Sequence, residues 1–275
     1  SREKARGVKY LPVDEALLAS LSRPLPKAPA GQAPPPRSLD SETASAPTAS
    51  RPTGAAHPNE ISGKRLSREE KQAAMAELRE RALVCQKCPK LAADRQNVVF
   101  GVGDIHAPLM FVGEAPGADE DRQGEPFVGK AGQLLTRIIQ TMGFTRDTVY
   151  IANILKCRPD TPGQSHGNRK PTVDEMETCK PYLLTQIDLI QPKAIVALGA
   201  TAVHGLLGPT EGITRLRGNW KEFRGIPIMP TFHPSYLLRQ DDLATKRKVW
   251  EDMLQVLTRL EVPISAKQRG FFLPK

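Results

Sequence analysis

Four cysteines are the whole thiol complement of this 275-residue chain: Cys85, Cys88, Cys157 and Cys179. The first two stand as Cys85-Gln-Lys-Cys88-Pro and the others lie far downstream. A C-x2-C pair with two distant partners suits tetrahedral zinc or an iron–sulfur cluster, and spacing alone does not choose between them. A redox C-x-x-C beside two unrelated thiols is the plainer alternative, but that motif normally sits at a strand-to-helix junction, and here it follows a helix.

A second concentration of chemistry runs from Gly113-Glu-Ala-Pro-Gly-Ala-Asp-Glu-Asp into Gly124-Glu-Pro-Phe-Val-Gly-Lys-Ala-Gly132. Glu114, Asp119, Glu120 and Asp121 crowd into eight residues near a lone Phe127. A turn that only joins two elements calls for Gly or Pro, not for this density of acids plus an aromatic, so the stretch reads as functional. The apolar run Leu109-Met-Phe-Val112 before it reads as a buried strand, and Gln133-Leu-Leu-Thr-Arg-Ile-Ile139 after it has helical spacing. The loop therefore stands at the carboxyl end of a strand, where open α/β sheets hold their ligands.

The elements that must position these groups follow the same pattern. Strands are expected at Pro108–Gly113, Thr148–Leu155, Ala194–Gly199 and Ile226–Thr231, and helices at Gly129–Met142, Thr172–Ile190, Thr201–Leu207 and Leu243–Leu260. Ser67 with Glu70, and Thr172 with Glu175, make capping boxes that open helices. Pro181 is expected to kink its helix. Alternation of strand and helix predicts a parallel sheet covered on both faces. The folded domain is expected over residues 66–262. Residues 1–65 read as a disordered extension rich in Pro, Ala and Ser, because the segment from Pro24 to Pro58 has almost no large apolar groups to offset its ordering entropy. Val13–Leu21 within it has the spacing of a short amphipathic docking helix or a frayed tail. Residues 263–275 read as a basic tail, whose Gln268-x-x-Phe271-Phe272 loosely resembles peptides that bind sliding clamps.

The net charge is +9 and the isoelectric point about 9.5, which favours a polyanionic partner, most simply nucleic acid. No apolar run is long enough to span a bilayer. The Ser-Arg-Glu-Lys start lacks a signal peptide's apolar core and an initial Met, which points to a trimmed, intracellular, cytoplasmic chain.

Together with Asn153-Ile-Leu-Lys-Cys-Arg-Pro159 and Phe232-His-Pro-Ser-Tyr-Leu-Leu-Arg239, the two glycine-rich motifs resemble family 4 uracil-DNA glycosylases, in the right order, from about Ala82 to Leu260. The resemblance implies an α/β three-layer sandwich with a four-stranded parallel sheet. It also implies a 4Fe-4S cluster on Cys85, Cys88, Cys157 and Cys179, and excision of uracil from DNA by a monomer working on the nucleoid. Carried onto this chain, Gly113, Glu114, Ala115, Phe127, Asn153 and His233 would bind the base. Phe127 would stack on it, Asn153 would read its O4 and N3–H, and His233 would donate to O2. Glu114 would stabilise the sugar cation or orient water. Glu120 and Asp121 are reserves for that task or for excluding thymine. Family 1 enzymes carry an Asp where this chain has Ala115. Tyr236, Leu237, Leu238 and Arg239 would enter the minor groove, with Lys130, Arg158, Arg169 and Lys170 as further phosphate contacts. The chain departs from the pattern in its N-terminal extension and in the extra residues Asp160–His166. A related subfamily traps its product covalently through a histidine in an inserted loop, which brings His166 into consideration. This chain keeps Cys157 and lacks that subfamily's Lys/Arg-Ile-His run. The rival readings are a non-catalytic binder of uracil-containing DNA and a zinc-stabilised nucleic-acid module.

Overall fold

The computed structural model describes residues 66–161, 164–209 and 211–273. The chain divides between Glu60 and Ile61, and the expectations placed on residues 1–65 lie outside the described residues.

The centre is a run of strands that are apolar on both faces. Strands β2 (Leu109–Gly113), β3 (Tyr150–Asn153) and β6 (Ala194–Leu198) are buried along their whole length. Such continuous runs suit interior strands of a parallel sheet, covered above and below. With β8 (Ile226–Thr231) they form four parallel neighbours in the order β3-β2-β6-β8. Short antiparallel strands, β1 (Val102–Gly103) on β3 and β7 (Lys221–Phe223) on β8, extend the two edges. The expected four-stranded sheet is thus the parallel part of a six-stranded mixed one. A separate two-stranded ribbon, β4 (Asp160–Thr161) and β5 (Gln164–Asn168), occupies the inserted segment.

Alternation along β2 sends Met110 and Val112 to one face and Leu109 and Phe111 to the other. The first pair packs with α1 (Arg68–Leu83), α5 (Val173–Ile190) and α6 (Ala200–Leu207), through residues such as Leu78, Leu183 and Val203. The second packs with α4 (Lys130–Thr141) and α9 (Leu243–Arg259), through Leu135, Ile139, Trp250 and Val256. This is the three-layer arrangement. Both capping boxes form, Ser67 with Glu70 and Thr172 with Glu175. Pro181 lies inside α5, which runs on past it to Ile190.

Short elements fill the connections: α2 (Pro89–Asp94), α3 (Ala118–Gln123), α7 (Ile213–Leu216), α8 (Pro234–Arg239) and α10 (Ala266–Gly270). The last is part of the segment read as a tail, and it folds back. Gln268 Nε2 donates to the Thr141 carbonyl at 2.9 Å, Trp250 Nε1 donates to the Gln268 carbonyl at 2.6 Å, and Phe271 sits edge-on to Trp250. No described helix is long and apolar enough to cross a membrane.

Candidate active site and cysteine quartet

Parallel register brings the carboxyl ends of β2 and β3 together, with Gly113 directly opposite Asn153. A Cβ on Gly113 would fall 2.4 Å from Asn153 Oδ1 and 2.4 Å from Phe127 Cζ, so only glycine lets the amide and the ring close over the strand end. Asn153 is 1 % exposed, and its Oδ1 has no hydrogen-bond partner among the described residues. An unmatched buried acceptor costs about 1–3 kcal/mol, so this amide is set for something to pair with it.

Phe127 comes from the loop between α3 and α4 and has a φ of 55°. A bulky residue in that region carries strain, of order 1–3 kcal/mol. Its ring lies 5.7 Å from that of His233 at a tilt of 32°. His233 follows β8 and caps α8: Nδ1 accepts the Ser235 main-chain N–H at 3.1 Å and lies 2.8 Å from Ser235 Oγ. A nitrogen that accepts a main-chain N–H cannot carry a proton, so in the neutral ring the proton sits on Nε2. Burial, and then the nearby Arg239 charge, push the imidazole down to about 4, so it is neutral at pH 7.

The four acids of the loop are used differently. Glu120 accepts from the main-chain N–H groups of Val128 and Gly129, both at 2.9 Å, and of Gly117 at 3.1 Å. Buried Asp121 accepts from those of Gln96 and Asn97. Asp119 pairs with Arg122. Glu114 is half-buried, and its side chain makes no hydrogen bond or ion pair to a described residue, while its carbonyl accepts from Leu155. Glu114 is therefore the free carboxylate at the strand end. Ala115, next to it, packs on the core.

In α8, Tyr236 is 37 % and Leu238 44 % exposed, and Arg239 is exposed. Leu237 departs from the groove-facing expectation. It is 4 % exposed and packs with Phe232 and Val249, because one turn of helix cannot present three successive side chains to the same side. Arg169 is tied to Glu175 by two hydrogen bonds, and Arg158 Nε donates to Asn168 Oδ1. Lys130 and Lys170 are exposed. The His166 side chain lies outside the described residues.

The cysteines lie at or near four elements. Cys85 follows α1, Cys88 caps α2, Cys157 lies beyond β3 and Cys179 is on α5. The quartet is close enough for mutual influence: Cys88 responds to Cys157 and Cys85, and Cys179 to Cys157 and Cys88. Burial pushes the Cys88 and Cys157 thiols up, and that of Cys179 to about 11. Arg95 Nη1 donates to Cys157 Sγ at 3.1 Å, and the Lys156 main-chain N–H to Cys179 Sγ at 3.2 Å. Among the described residues, no three Cys, His, Asp or Glu side chains are gathered as a single metal ion would need.

One feature between the two regions has no counterpart in the sequence reading. Lys156 is fully buried, and its ammonium donates to the Asn153 carbonyl at 3.0 Å and to Gln186 Oε1 at 2.7 Å. Gln186 in turn donates to the Phe100 carbonyl and Tyr150 Oη. Burial lowers the lysine to about 8. A lone Lys in the apolar run Ile154-Leu-Lys-Cys is the signal that could have marked it.

The model of the uracil DNA glycosylase superfamily matches residues 100–254. A type-4 uracil-DNA glycosylase of Thermotoga maritima is 46 % identical over 176 residues, covering 63 % of this chain and 88 % of that protein. One from Sulfurisphaera tokodaii is 39 % identical over 208 residues, 72 % of this chain and 90 % of that protein. A third, from Archaeoglobus fulgidus, is 40 % identical over 58 % of this chain and 80 % of its own length. On these matches, each covering most of a relative's length, the chain belongs to the type-4 group of the uracil DNA glycosylase superfamily.

Proposed function

We propose that the protein hydrolyses the N-glycosidic bond between uracil and deoxyribose in DNA, the first step of base-excision repair. The observation that carries this reading is the buried Asn153 amide against the Phe127 ring, its Oδ1 without a partner among the described residues. The target bond is out of reach in a stacked duplex, so the nucleotide is extruded into the pocket. Uracil lies on Phe127, and the Asn153 amide donates to O4 and accepts from N3–H. Cytosine presents the opposite pattern at both positions and leaves buried groups unmatched.

As the bond breaks, negative charge collects on O2. The Nε2–H of His233 is the donor aimed at it, already neutral and already held in that tautomer by Ser235. Positive charge develops on the sugar, and Glu114 offsets it or orients the attacking water, the two tasks carboxylates perform in glycosidases. Tyr236 and Leu238 are the apolar groups available to fill the vacated stack, and Arg239 to meet phosphate.

Cys85, Cys88, Cys157 and Cys179 would hold the 4Fe-4S cluster. The donor set is all sulfur, and Arg95 and Lys156 bring donors that favour thiolate. When bound, the cluster would tie α1, α5 and the segment after β3 together. The substrate is uracil-containing DNA, the site of action the nucleoid, and the working unit a monomer of residues 66–262 with its C-terminal segment docked. A sliding clamp would have to compete for Gln268 and Phe271, which are engaged within the domain.

Incubation with a uracil-containing oligonucleotide tests the reading. Free uracil and an abasic strand are the expected products. Tight binding without release would favour a non-catalytic binder, and a strand crosslinked to the protein would favour covalent trapping.

A further inference from the structure

Four consecutive residues of the loop carrying Phe127 have their main-chain groups satisfied by two charged side chains from elsewhere. Arg146, just ahead of β3, donates through Nη2 to the Pro126 carbonyl at 2.7 Å and through Nη1 to the Phe127 carbonyl at 3.0 Å. Glu120, on α3, takes the next two N–H groups, Val128 and Gly129, on one oxygen, and Gly117 on the other. From below, the missing side chain of Gly132 makes room: a Cβ there would fall 1.9 Å from the Phe127 carbonyl carbon. Between these three fixtures Phe127 holds its φ of 55°, and its ring closes on Gly113 and Asn153. Thr136 Oγ1, at 3.4 Å from Arg146 Nη1, braces the guanidinium.

We propose that Arg146 and Glu120 are positioning residues that clamp residues 126–129 into a rigid shelf and so fix the face on which the extruded base stacks. This rests on the excision reading above. A clamp at both carbonyls and both amides holds a bulky residue in a backbone region it would otherwise leave. Relaxation of residue 127 would swing the ring off the amide, and displacement of about an ångström in a positioning group costs of order a hundredfold in rate. Arg is suited to the task because its planar fork reaches two carbonyls at once, which a lysine ammonium cannot do with the same geometry. Glu120 thereby has a use distinct from activating water.

The test compares the wild-type holoprotein with Arg146→Met and Arg146→Lys, each labelled with 4-fluorophenylalanine. The label reports on all eight phenylalanines, and the Phe127 resonance is assigned by Phe127→Leu. In Arg146→Met, single-turnover uracil release should fall at least tenfold while affinity for uracil-free DNA holds within twofold. The fluorine signal of residue 127 should shift or broaden alone. Arg146→Lys should lie between the two and decides the matter if Arg146→Met does not fold. Wild-type release rates in a folded variant, or an unmoved residue-127 signal, would overturn the clamp. Absence of uracil release by the wild type would instead overturn the excision reading, and the fluorine signal would still report on the shelf.

Discussion

The uracil pocket and the cysteine quartet are both built from buried polar groups, but they stand in opposite conditions before any ligand arrives. In the proposed pocket, groups are held before any base binds: His233 with Nδ1 occupied, the Phe127 carbonyl bound by Arg146, and the Asn153 carbonyl by Lys156. Among the described residues, Asn153 Oδ1 is the buried side-chain atom left unmatched. At Cys88, Cys157 and Cys179, burial opposes the thiolate form that any iron or zinc ligand must take. The first region is preorganised and gains specificity from its ligand. If the proposed cluster binds at the second, its cationic iron would offset the thiolates, and its binding would contribute to folding.

The largest expected effect tests the second half of that contrast. Cys85 is half-exposed, and a thiol with no ligand role there could be replaced at a cost within about 0.5 kcal/mol. If it binds iron, Cys85→Ala should lose most of the iron and its absorbance near 400 nm. Melting should drop by roughly 10 °C or more for a domain of this size. Unchanged iron content and melting temperature would remove Cys85 from the ligand set.

The pocket should behave in the other way, losing function without losing stability. Asn153→Asp keeps shape but cannot donate to O4 while ionised, so uracil release should fall at least tenfold, which needs only about 1.4 kcal/mol in the barrier. The carboxylate can accept from the cytosine amino group, so discrimination against cytosine should weaken. Iron content and melting should stay near wild type. A folded mutant that excises uracil at full rate and still rejects cytosine would show that the base is read elsewhere.

Much of this contrast was legible in the sequence, and the rest was hidden for identifiable reasons. The four parallel strands announce themselves as uninterrupted apolar runs, and β8 has the expected ends, Ile226 and Thr231. Glu114, Asn153 and His233 sit at or just beyond the ends of those runs, so fixing the strands fixes them, whereas Phe127 lies on the loop between α3 and α4. The edge strands β1 and β7 are too short to leave a pattern. Helix α3, Ala-Asp-Glu-Asp-Arg-Gln, is so polar that it reads as loop, which hid the main-chain contacts of Glu120. Arg146 carries no local signal, because its partners are main-chain carbonyls about twenty residues away. Gln268 and Phe271 matched a peptide motif, yet the spacing that would suit a foreign groove suits the domain's own Thr141 and Trp250 equally well.

Leu237 and Leu238 separate the two kinds of contribution within a single helical turn. Leu237→Ala opens a cavity beside Phe232 and Val249 and should cost about 2–5 kcal/mol of stability. Leu238→Ala should leave melting unchanged within about 0.5 kcal/mol of stability. It should slow release from duplex DNA several-fold and act less on single strands, where no vacated stack needs filling. Equal effects on both substrates would take Leu238 out of the wedge role.

The smallest expected change is also the most direct measure of preorganisation: none in the ionisation of His233 across the neutral range. An unfolded imidazole takes up its proton near 6.5, whereas the folded one, buried and facing the Arg239 charge, does so only near 4. Between those values the unfolded chain binds the extra proton, so stability from His233 is present above about 6.5 and is lost as pH falls toward 4. Asp252 pulls the other way. Burial raises its carboxyl from 3.8 to about 6 against the pull of Thr231 and Arg217, so its contribution is present below 3.8 and is lost as pH rises through 6. The two slopes oppose each other between pH 4 and 6, and a melting curve would show little of either. Carbon-13 labelling of the histidines resolves them: the His233 ring should keep its neutral, Nε2-protonated shifts down to about pH 5, and single-turnover release should show no inflection near 6.5. A His233 midpoint in the ordinary range would mean that the ring is hydrated and that the pocket, like the cysteines, is completed only when its ligand arrives.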